Sequence, residues 1–148
     1  MELKIGRDTL LAISAVAWAD GSIDPREVAA LRHAATQLLA QGEDLVSVER
    51  SLSSRVTLEE VETVRMSRLT RLFTYAAACW MAEVDGTESA AEGDVLKLLG
   101  DRLGLSAVAR DRAHNAVRGI AERSQPGAFD LLALRSRLSA GLSQIGDE

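Results

Sequence analysis

Two stretches of this chain repeat one another at a fixed offset. The first is Ala19-Asp20-Gly21-Ser22-Ile23-Asp24-Pro25-Arg26-Glu27, and the second is Val84-Asp85-Gly86-Thr87-Glu88-Ser89-Ala90-Ala91-Glu92. In each, an apolar run enters Asp-Gly, a small hydroxyl residue follows, and a Glu stands seven positions after the Asp. The matched acids share one offset, 85 − 20 = 65 and 92 − 27 = 65. Two helix–corner–helix units with the same acid spacing predict an internal duplication. A duplicated helical hairpin confines the chain to folds that pack helix on helix.

The rest of the chain fits that frame. Residues 8–19 form an apolar run with Leu11, Ser14, Ala15 and Trp18 on one face and Leu10, Ile13 and Ala17 on another. A helix apolar nearly all round is a buried one. Gly21 ends it, because glycine accepts the left-handed conformation of a helix C-terminus. Asp24 as N-cap, Pro25 at the first helical position and Glu27 at the third then open a second helix that runs to Gly42. A shorter helix covers residues 43–54. Thr57-Leu58-Glu59-Glu60 is a capping box opening a segment that bends near Met66 and leads into a second apolar helix. That helix carries Leu69, Leu72, Phe73, Ala76, Ala77, Trp80 and Val84 at helical spacing. Ser89 to Glu92 repeats the capping box, so residues 90–103 are its partner helix, ended by Gly104. Ser106 caps a further helix to about residue 123, with Ala109, Ala113, Ala116, Val117 and Ile120 inward. After the break at Gln125-Pro126-Gly127, a last helix at about 127–145 presents Leu131, Leu134, Leu138, Leu142 and Ile145. The expectation is one all-α domain over residues 1–148. It is a bundle of about seven helices, with pseudo-repeats at about 8–42 and 67–104.

The 148 residues suffice for a sizeable core. With 47% hydrophobic and 26% charged residues the chain belongs with soluble globular proteins. A net charge of −5 argues against nucleic acid and anionic membrane as partners. No run approaches the ~20 apolar residues of a membrane span. Glu2 and Asp8 argue against a secretory leader at the start of the chain. The single Cys79 excludes an intramolecular disulfide framework and suits a reducing, cytoplasmic setting. Within its apolar run it reads as a small buried hydrophobe.

The corner acids admit two accounts. Asp24, Ser89, Glu27 and Glu92 serve as caps, each contributing about 1 kcal/mol, with no ligand involved. Capping leaves Asp20 and Asp85 unexplained. Each stands at a helix C-terminus, where the macrodipole disfavours a negative charge by about 0.3–1 kcal/mol. Each therefore needs a compensating partner. One is the free N–H groups of the next helix. The other is a cation shared by Asp20, Glu27, Asp85 and Glu92, if the two corners meet in space. Oxygen-only ligands point to calcium, magnesium or manganese. The spacing is not that of an EF-hand, in which Gly follows three alternating acids and the closing Glu comes at the twelfth position.

These residues, with the Leu103-Gly104-Leu105-Ser106 that follows the second unit, resemble the tellurite-resistance TerB-like family over most of residues 10–120. The resemblance implies an all-helical duplicated fold. It also implies an acidic cluster that holds a divalent cation, and a non-enzymatic role in stress response. Carried across, the ligands are Asp20 and Glu27 from the first unit and Asp85 and Glu92 from the second, with Asp24 and Glu88 as further contributors. The second copy departs from the first in carrying Glu83 and Glu88 where Trp18 and Ile23 stand.

No Gly-rich phosphate loop and no Gly-x-Ser-x-Gly elbow supports an enzyme. Asp111 and His114 have the i, i+3 spacing of a di-iron helix, but that site needs a second such helix and two more carboxylates. His114 reads instead as solvated, and Arg65, Arg68 and Arg71 as a solvated basic stripe pairing with nearby acids. The competing function is a protein-interaction or co-chaperone-type adaptor. Its corner acids are purely structural, and it meets a protein partner through the C-terminal helix. For that stripe the other outcome is packing on the chain's own core.

Overall fold

The computed structural model describes residues 7–19, 25, 28, 29, 68–83, 90–121, 134 and 136–138. Among these residues every regular element is an α-helix and none is a strand. Four helices dominate: α1 (Arg7–Ala17), α2 (Arg68–Glu83), α3 (Ala90–Leu103) and α4 (Ala107–Ala121). Pro25, Val28 and Ala29 are also helical, as are Leu134, Ser136, Arg137 and Leu138.

The core is built around α2, which packs on α1, α3 and α4, while α1 also touches α3. Its sequence explains that position. From Leu72 to Ala82 every residue is buried, so the helix has no solvent face over this length. Ala76, Ala77, Ala78 and Ala82 keep its girth small and let neighbours approach on several sides. Phe73 and Met81 fill the space between, each fully enclosed and each stabilising by about 1.5–3 kcal/mol. α1 is buried from Leu11 to Ala17, as its all-round apolar pattern predicts. Regular helix stops at Ala17, two residues short of the expected end. A turn follows in which the Ala19 N–H reaches back only three residues, to the Val16 carbonyl at 3.1 Å.

α3 and α4 are amphipathic by contrast. α3 turns Glu92, Leu96, Leu99, Gly100 and Leu103 inward. α4 buries Ala113, Ala116 and Val117, with Ala109 packed against the core edge. Gly104 ends α3 at a φ of 70°. Its N–H donates to the Asp101 carbonyl and the Leu105 N–H to the Gly100 carbonyl, each at 3.1 Å. This is the paired 5→2 and 6→1 closure of a Schellman motif. Two residues on, the Ser106 hydroxyl accepts from the Ala109 N–H at 3.1 Å and caps α4. Two arginines brace the same corner. Arg110 donates from Nε to the Leu105 carbonyl at 3.1 Å and pairs with Asp101 at 2.9 Å. Arg71, expected on a solvated stripe, instead reaches from α2 to the Leu103 carbonyl at 3.0 Å. A cation there meets a helix C-terminus, where the dipole favours it.

Leu134 and Leu138, from the last apolar stripe, are buried and belong to the core. Of the two outcomes for that stripe, packing on the chain's own core is the one these residues take. No helix among the described residues is long and apolar enough to cross a membrane.

Candidate functional site

Of the six acids singled out in the sequence, Glu92 lies among the described residues. Asp20, Asp24, Glu27, Asp85 and Glu88 lie outside them, so the distance between the two corners is not part of the description. The helices that lead into the corners are described. The turn after α1 runs to Ala19, immediately before Asp20, and α2 runs to Glu83, two residues before Asp85. α1 and α2 pack together, and both contact α3, which carries Glu92.

Glu92 occupies the first turn of α3 and is 4% exposed. It is the one charged side chain in the described core. Its placement follows from the α3 stripe, since Glu92, Leu96, Leu99 and Leu103 recur at helical spacing and share the inward face. A residue at the third helical position is where a capping box puts its acid, and the dipole of the helix start favours a negative charge there. The carboxylate makes interactions of its own. Its Oε2 is shut off from solvent and receives no hydrogen bond from the described residues. Among the described residues no three His, Cys, Asp or Glu side chains gather into a metal-holding group.

A second cluster sits where α2 crosses α4, and composition gave no hint of it. Tyr75 Oη is 3.2 Å from His114 Nε2, and Cys79 Sγ is 3.8 Å from the same nitrogen. The rings of Tyr75 and His114 meet edge to face, at 89° and 5.6 Å between centroids. Cys79 is buried, as expected, at 1% exposure. His114, expected in solvent, is half-buried against α2. The available signal was the i, i+4 spacing of Tyr75 and Cys79, which puts both on one face of α2. Nothing in the sequence says that α4 would bring a histidine to that face.

A family model described as "Protein of unknown function (DUF533)" matches residues 5–117 of the chain. No curated protein and no solved structure matches it.

Proposed function

The chain belongs to the DUF533 family, protein of unknown function, and within it we propose a non-enzymatic helical domain that binds a divalent cation. The cation is of the hard, oxygen-seeking kind: calcium, manganese or magnesium. Its ligands are Asp20 and Glu27 from the first hairpin and Asp85 and Glu92 from the second, with Asp24 and Glu88 beside them. On this reading the domain is a duplicated bundle of about seven helices. Its setting is the cytoplasmic stress response that the TerB-like resemblance implies, tellurite resistance included.

The observation that carries the proposal is the burial of Glu92. A carboxylate removed from water loses hydration worth several kcal/mol and must recover it from charge or hydrogen bonds. The helix start supplies about 0.3–1 kcal/mol of that, and the interactions Glu92 makes within the fold supply more. A divalent ion shared with Asp85 and the first corner adds to these, and a carboxylate already taken out of water is poised to meet it. The pattern of the duplicated acids supports it further. A corner acid kept only for capping has no need of the Asp that precedes each glycine. The adaptor reading loses support at two positions, because Leu134 and Leu138 are spent on the core.

Thermal denaturation tests the proposal directly. An ion that binds only the folded state stabilises by RT ln(1 + [L]/Kd), about 2.7 kcal/mol at a hundredfold excess over Kd. Millimolar calcium or manganese is expected to raise Tm, and Asp20→Asn with Asp85→Asn to abolish the rise. Absence of any rise in the parent protein with all three ions rejects the cation reading.

A further inference from the structure

We draw no further inference here: the strongest candidate, the outer face of α3 on which the exposed Leu98 stands one turn from Asp94 and one turn from Arg102, carries nothing because nothing in the structure shows what covers it.

Discussion

Single side chains decide the two functional readings, and Glu92 decides the first. A buried carboxylate needs compensation, and Glu92 has interactions of its own within the fold. Glu92→Gln keeps the shape and removes the charge. In the presence of a chelator this variant is expected to be less stable than the parent by about 0.3–1 kcal/mol, the favourable meeting of charge and helix start that it gives up. With millimolar calcium or manganese the gap widens, since only the parent gains the linkage term. Paired melting curves check the widening, and a gap that the ion leaves unchanged would show that Glu92 acts as a cap alone. The sequence could place Glu92 on its helix and turn it inward, because both follow from a capping box and a 3.6-residue stripe. It could not place His114 beside Cys79. That pairing depends on the crossing of α2 and α4, and no local rule encodes which residues meet at a crossing.

At the scale of the element, the end of α3 was readable to the residue. Gly104 has positive φ and nothing within 4 Å of a built Cβ, so its role is backbone conformation alone. Gly104→Ala is therefore expected to cost about 1 kcal/mol, with no change in packing. Gly100 stands inside α3, where a glycine ordinarily weakens a helix, and its reason is visible only in three dimensions. A Cβ there would lie 2.7 Å from Arg110 Cζ and 2.8 Å from its Nε. That guanidinium is held by the Leu105 carbonyl and Asp101, so it has little freedom to yield. Gly100→Ala should cost about 1–3 kcal/mol by overpacking. In an Arg110→Ala background the same change should turn favourable by up to about 1 kcal/mol, because alanine is the better helix former. A double-mutant cycle by urea denaturation measures the reversal. Equal costs in both backgrounds would mean that the guanidinium moves aside without penalty. Arg71 makes the same general point. Its charge was read as part of a solvated stripe, yet its place in the fold is set by a helix end 32 residues away in sequence.

Over the whole molecule, the family match and the packed core have different limits. The match ends at residue 117, yet Leu134 and Leu138 lie in the core at 0% and 4% exposure. The contact is specific as well as apolar. A Cβ on Gly119 would fall 2.6 Å from Arg137 Nη1, so the guanidinium occupies the space that a larger residue on α4 would fill. Two buried leucines contribute about 1.5–3 kcal/mol each. Their sum is a large part of the 5–15 kcal/mol by which a domain is ordinarily stable. Removing everything after residue 123 strips both from the core and uncovers Gly119 on α4, which Arg137 covers. The truncated chain is therefore expected to melt well below the parent, or to lose its cooperative transition. The substitutions Leu134→Ala and Leu138→Ala should each cost about 2–5 kcal/mol in the full chain. Circular dichroism melts of the three variants check this, and a truncated chain as stable as the parent would show that the segment is an accessory. The amphipathic pattern of this stripe admitted a partner or the chain's own core, because periodicity gives the apolar face and not its occupant. A chain with few aromatics must draw its core from many small contacts, so it recruits Leu134 and Leu138 as well. The same economy explains why α2, built largely from alanine, takes the centre: it is narrow enough for three helices to close on it.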